Sequence, residues 1–222
     1  MRNKWLVVGT LAIVIVLTVV VLISNSSNVD EDVAIEYDAP PNIEGQPTLG
    51  NAEAPVKVVA FGDYKCPSCK AWDETVFPEL KETYIDEGIV EFVHVNTPFH
   101  GEESMLAAQA SESIWSQNQE AFWTFHEEIY QNQPETQQHD EQWVTEETLL
   151  EIASSIDENI DLENLEQDLQ QQAFQEEIGE DLDLVEQFEV AQTPTIMVNQ
   201  YKLTNPFDYE QMVALIEQEN GE

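Results

Sequence analysis

Cys66 and Cys69 are the only cysteines among 222 residues, with Pro67 and Ser68 between them. A bridge between them would close a loop too short to restrain the unfolded chain much, so it would add little stability. What such a pair can do is exchange. At the first turn of a helix, the leading sulfur faces backbone N–H groups without partners and the positive end of the helix dipole, and both favour thiolate over thiol. Cys66 is therefore the expected nucleophile. The competing chemistry is a binding module in which both cysteines and two of His94, His100, His126 and His139 hold zinc. Structural zinc needs four ligands at recognisable spacing, and the histidines do not complete such a motif with Cys66 and Cys69.

The elements around the pair must place it at a strand-to-helix turn. Val56–Phe61 is a nearly continuous apolar run between Pro55 and Gly62, as expected of a strand covered on both faces. The cysteine helix follows, with Trp72, Val76, Phe77 and Leu80 on its inward stripe and a kink expected at Pro78. Gly88 stops it, Ile89–Val95 reads as a second strand, and the three together suggest a βαβ crossover. From Glu102 to about Gln187 the spacing is helical, and the aromatic residues around Trp123 read as core. Asn132 to Asp140 breaks the pattern, Thr145 is placed to cap a third helix, Leu162, Leu165 and Leu169 mark a fourth, and Ile178, Leu182 and Val185 a fifth. Strands return at Thr195–Val198 and Tyr201–Leu203, before a last helix from about Pro206 to Glu219.

Trp5 to Ile23 is apolar and uncharged, 19 residues, enough at about 1.5 Å each to cross most of a hydrocarbon core of roughly 30 Å. It reads as a membrane anchor, a cleaved signal peptide being the alternative with a shorter apolar region. Arg2 and Lys4 precede it, which keeps the N-terminus cytoplasmic and puts the remainder outside, where disulfides persist. Only five of the seven Lys and Arg residues follow the anchor, against all 45 Asp and Glu. Such a surface repels polyanions, which excludes nucleic-acid binding. Self-repulsion at this density is tolerable where high salt screens it or where high external pH makes lysine an unreliable charge. Polar, acidic residues 24 to 42, ending in Pro40-Pro41, read as a spacer.

This order of elements resembles the thioredoxin superfamily, specifically the DsbA-like thiol-disulfide oxidoreductases, and is most similar to the membrane-anchored form of Gram-positive bacilli. The resemblance covers roughly Ile43 to Glu219 and rests on Phe61 to Lys70 around the cysteines, on Phe99-His100-Gly101, and on Thr193-Pro194-Thr195. It implies an α/β fold in which an all-helical domain interrupts a thioredoxin fold, preceded by one transmembrane helix. The expected segments are an anchor at 1–24, an acidic linker at 25–42, a first thioredoxin part at 43–101, a helical insertion at 102–187 and a second thioredoxin part at 188–222.

By the same resemblance Pro194 is cis and lies beside Cys66, where it keeps out metals and misplaced strands. Thr193 offers backbone to an extended client, and Pro67 and Ser68 face it. A reduced client attacks Cys66, Cys69 leaves, and a second client thiolate resolves the mixed disulfide. Lys65 and Lys70, flanking the motif, are expected to favour the Cys66 thiolate. The family often has a buried carboxylate six residues before the first cysteine, where this chain has Ala60. That leaves the proton route to Cys69 open, with Asp63 the nearest acid in sequence but placed as a turn acceptor. A reductase or isomerase of the same fold is the alternative function. The implied partners are reduced unfolded secreted proteins and a DsbB-like quinone-linked membrane oxidase, the protein acting as a monomer. No cofactor is expected for the chemistry, and Glu180-Asp181-Leu182-Asp183 is a weak candidate for structural Ca²⁺, set against a solvated helix end.

Overall fold

A computed structural model of the protein describes residues 34–134 and 142–221. The expected anchor, residues 25–33 of the expected linker, and His139 lie outside these residues. Among the described residues, no helix is long and apolar enough to cross a membrane.

Strands β1 (Ala34–Glu36), β2 (Thr48–Gly50), β3 (Val56–Gly62), β4 (Val90–Asn96), β5 (Thr195–Val198) and β6 (Tyr201–Leu203) form one sheet in the order β1-β6-β5-β3-β4-β2. β3 and β4 run parallel with Ala60 opposite His94, while β5 lies antiparallel on the other side of β3 with Ile196 opposite Ala60. The apolar run at 56–61 is thus the central strand. Alternation along it feeds two cores: Val56, Val58 and Ala60 join one, Val59 and Phe61 the other.

The cysteine helix α1 (Pro67–Thr75) is followed by a separate short helix α2 (Phe77–Leu80) and a π-helical turn at Lys81–Ile85. Pro78 therefore does not kink one helix. It sits in the first turn of α2, where its missing N–H costs nothing. Gly88, at φ +75°, takes the left-handed turn that ends this segment. With α8 (Tyr209–Asn220), α1 and α2 cover the first face through Trp72, Val76, Leu80, Met212 and Ile216. The last helix begins at Tyr209 rather than Pro206 because the Asp208 side chain accepts from Gln211 N, fixing the start there.

Helices α3 (Glu102–Gln117), α4 (Gln119–Gln131), α5 (Glu146–Ile156) and α6 (Leu162–Gln171) surround their own core of Phe122, Phe125, Ile129, Leu149 and Leu165. Each such fully buried side chain contributes roughly 1.5–3 kcal/mol. Thr145 caps α5 by accepting from Thr148 N. Trp123 packs against both this core and the sheet, and its indole donates to Thr48 O. The next helix, α7 (Gln175–Gln187), packs Leu184 on the second sheet face. Its inward residues are Ile178, Asp181 and Leu184, whereas Leu182, expected inside, is exposed.

β1 is a further correction. Ala34–Glu36 falls in the stretch read as linker, yet it pairs with β6. Tyr37 closes it down by packing edge-on against Phe188 and donating its hydroxyl to Phe188 O.

Candidate active site

β3 delivers the chain to a turn at Asp63, and Cys66 follows in extended conformation as the residue capping α1, with Pro67 at the helix start. Proline fits there because its missing N–H is one the helix leaves unpaired anyway. Both thiols are free, and both are buried, Cys66 at 6% exposure and Cys69 at 3%. Their acidities diverge. The hydrogen bond from the Cys69 side chain holds the Cys66 thiol down at about 5, against the opposing effect of burial; Thr193 and the N–H groups of Cys69 and Ser68 add to the lowering. Cys69 is pushed up by burial first, then by its bond to Cys66 and by the Cys66 charge.

The Thr193–Pro194 bond is cis, and Cys66 Sγ lies 3.3 Å from Thr193 O. Loop and thiol therefore meet although 127 residues separate them in sequence. Pro194 is buried, Thr193 and Pro67 are partly exposed, and Ser68 is exposed at the helix tip.

Asp63 is a hub. Its Oδ1 accepts from Lys65 N and Ser104 Oγ, and its Oδ2 accepts from Phe99 N and His100 N and lies 2.6 Å from His100 Nδ1. The expected local acceptor thus binds the loop before α3 to the cysteine turn. His100 is part of that tie.

Lys65 and Lys70 do not act on Cys66 as expected. The Lys65 ammonium pairs with Glu103, whose other oxygen accepts from Trp143 N and Val144 N. Lys70 reaches the carbonyls of Gln131 and Gln133. Both charges are committed elsewhere, so the thiolate rests on short-range hydrogen bonds.

Several residues were missed by sequence reasoning. Gln133, two residues past α4, donates to Tyr64 O at 2.6 Å and Cys66 O at 3.3 Å, tying the helical block to the cysteine turn. Behind Cys69, His126 Nδ1 lies 2.9 Å from the Tyr64 hydroxyl and its Nε2 lies 3.5 Å from Asp73 Oδ1. The His126 ring stands edge-on to His94, whose own charge is suppressed by burial first and by His126 second. Gly62 leaves room for the His94 ring, since a Cβ there would fall 2.7 Å from His94 Cε1. Asp73 was findable, being four residues after Cys69 and so on the same helix face.

Among the described residues, no three His, Cys, Asp or Glu side chains stand close enough to hold a metal ion. Glu180 and Asp183 are exposed, whereas Asp181 turns inward and accepts from Gln46 Nε2 and Asn96 N.

A family model described as Thioredoxin matches residues 42–218. Disulfide bond formation protein D of Bacillus subtilis is 43% identical over 179 residues, covering 81% of this chain and 79% of that protein. The crystal structure of oxidised BdbD from Bacillus subtilis superposes with a TM-score of 0.79 at 41% identity, over 86% of this chain and 100% of that one. The crystal structure of Chlamydia trachomatis DsbA gives a TM-score of 0.69 at 25% identity, over 81% of this chain and 92% of that one.

Proposed function

This chain belongs to the thioredoxin family, and on that footing we propose that it donates its Cys66–Cys69 disulfide to reduced, unfolded secreted or surface proteins outside the cytoplasm. At the coarser level it is a thiol-disulfide oxidoreductase, a dithiol oxidase acting in disulfide bond formation. The observation that carries the finer reading is the opposite displacement of the two thiols, Cys66 down to about 5 and Cys69 up. A client thiolate attacks Cys66 Sγ; the Cys66–Cys69 bond breaks, the electron pair goes to Cys69 Sγ, and that sulfur takes a proton. A second client thiolate then attacks the first client's sulfur, and Cys66 leaves as a stable thiolate. The client departs oxidised by two electrons and the enzyme is left as a dithiol. No cofactor takes part in these steps.

Thr193, whose carbonyl is beside Cys66, is the proposed partner for client backbone, with Pro194 completing the loop and Pro67 and Ser68 forming the opposite lip. Trp5–Ile23 is the proposed anchor, orienting the catalytic domain outward, and the proposed partner for reoxidation is a DsbB-like, quinone-linked membrane oxidase. We propose a monomer.

The test is the reduction potential of the protein equilibrated with glutathione, paired with refolding of a reduced client that has one disulfide to form. An oxidant sits well above thioredoxin's value of roughly −270 mV, and Cys66→Ser abolishes refolding activity. A potential at or below that value assigns the protein to the reductases instead.

A further inference from the structure

Every turnover requires Cys69 to gain a proton when its sulfur leaves the disulfide and to lose one when the bond re-forms. Cys69 is 3% exposed, so solvent does not exchange that proton directly. We propose that Asp73 and His126 carry the proton between Cys69 and solvent, through a small cavity under helix α1. The proposal rests on the exchange chemistry described above.

The cavity is lined by Cys69, Ala60, His94, Tyr130, Asp73 and His126 among others, and leaves about 10 Å³ for the centre of a water molecule. That is room for about one water. A wider groove of about 270 Å³ adjoins the cavity, lined by Asp73, Phe77, Trp123, His126 and the exposed Thr124 and Glu127 among others. Asp73 and His126 are the two residues shared by the cavity and the groove. Cys69 and Asp73 stand one helical turn apart on one face of α1, and His126 comes from α4 to within 3.5 Å of the Asp73 carboxylate.

The other titratable groups facing this point are poor carriers. Burial raises the Tyr64 and Tyr130 phenols well above their ordinary range, so they stay neutral, and burial holds His94 neutral. Asp63 directs its N–H at Cys69 Sγ, but its carboxylate already accepts from Lys65, Phe99, His100 and Ser104. Lys81 and Glu127 lie on the groove alone. His126 suits both protonation states. Its Nδ1 meets the Tyr64 hydroxyl, which either donates or accepts, and its Nε2 faces Asp73.

On disulfide donation the N–H bond of a protonated His126 breaks and the S–H bond of Cys69 forms, by way of the cavity water; the groove returns a proton to the His126–Asp73 pair. On reoxidation the same path runs backwards, and the Cys69 thiolate attacks the mixed disulfide at Cys66.

The dithiol protein mixed with an aromatic disulfide whose released thiolate is coloured reports the two sulfurs in turn. The Cys66 thiolate attacks first and releases one aryl thiolate; deprotonated Cys69 then attacks Cys66 and releases the second. Asp73→Asn and His126→Phe are expected to leave the first phase within about twofold and to slow the second at pH 7 by about tenfold or more, toward the roughly 10²–10⁴-fold range of positioned proton transfer. The slowed phase should climb as pH rises and hydroxide substitutes for the pair. Asp73→Glu should recover part of the rate, and Ala60→Val, which fills the cavity and leaves both carriers in place, should slow the second phase alone. Should Asp73→Asn or His126→Phe not fold, Ala60→Val decides through the same comparison of the two phases; in the wild type the second phase should also slow in deuterium oxide more than the first, as proton loss from Cys69 requires. An unchanged second phase in Asp73→Asn, equal slowing of both phases, or equal isotope sensitivity of both overturns the proposal. Absence of any fast first phase in the wild type would instead sink the exchange reading beneath it.

Discussion

Replacing Cys69 by Ala should raise the pKa of Cys66 more than any change of nearby charge. The Cys66 thiol falls from 9.0 to about 5, and the largest cause is the hydrogen bond from the Cys69 side chain. A hydrogen bond to a charged group contributes roughly 1.5–3 kcal/mol, and each pH step corresponds to about 1.36 kcal/mol, so its loss should move Cys66 up by about 1–2 steps. Cys69→Ser keeps an O–H donor and should titrate near the wild type. The assay is thiolate absorbance in the ultraviolet against pH for all three proteins. The same titration sets the driving force. Because the folded pKa is depressed, the thiolate stabilises the reduced form fully above the ordinary thiol range and loses that contribution as pH falls through about 5. At pH 7 it amounts to about 3 kcal/mol, or about 60 mV toward a stronger oxidant. With Cys66 ionised and Cys69 protonated, the reduction potential should fall by about 30 mV per pH step between pH 6 and 8, in place of about 59 mV for two protons. A Cys69→Ala titration identical to the wild type, or a slope of about 59 mV, refutes the reasoning.

Lys65→Gln and Lys70→Gln should shift the Cys66 titration by less than about half a pH step, because both ammonium groups are engaged away from the sulfur; Lys65→Gln should still cost about 1–3 kcal/mol in denaturant unfolding by stranding Glu103. Burial, then Asp181 and Glu177, push Glu112 up to about 8, so the folded state binds a proton the unfolded chain releases. Its contribution is complete below the ordinary carboxylate range and fades as pH rises through about 8; in chelating buffer, the melting temperature of Glu112→Gln relative to wild type should therefore improve from pH 5 to pH 9, and a constant gap would argue against a buried, protonated carboxyl. With a formal charge of −38, the protein should melt at higher temperature as NaCl is added, since the screening length falls from about 10 Å at 0.1 M to about 3 Å at 1 M; no rise removes the salt-loving reading of the composition.

Features written in short stretches of chain were legible. The apolar run before the cysteines, Gly88, the Thr145 cap and the strand after Pro194 follow from local steric and hydrogen-bonding rules, and each appears in the fold. Features that depend on a distant partner were not. Nothing in Ala34–Glu36 announces that β6, more than 160 residues on, will complete its ladder. Lys65 looked like a charge for Cys66 because Glu103, 38 residues away, was not yet beside it. Asp181 hid in an acidic run, since its inward direction depends on Gln46 and Asn96 approaching from other elements. His126 entered only as a possible zinc ligand, because its approach to Asp73 depends on α4 packing beside α1.

The Asp63 hub divides the catalytic face into a fixed frame and an adjustable insert. One carboxylate fastens the segment around Phe99 and His100 to the cysteine turn, while Ser68 projects into solvent at the helix tip. Positions 67 and 68 are accordingly where evolution, or an engineer, can vary the lip beside the sulfur while the segment around Phe99 and His100 stays where Asp63 holds it. Position 63 offers no such freedom, because altering it releases both segments at once.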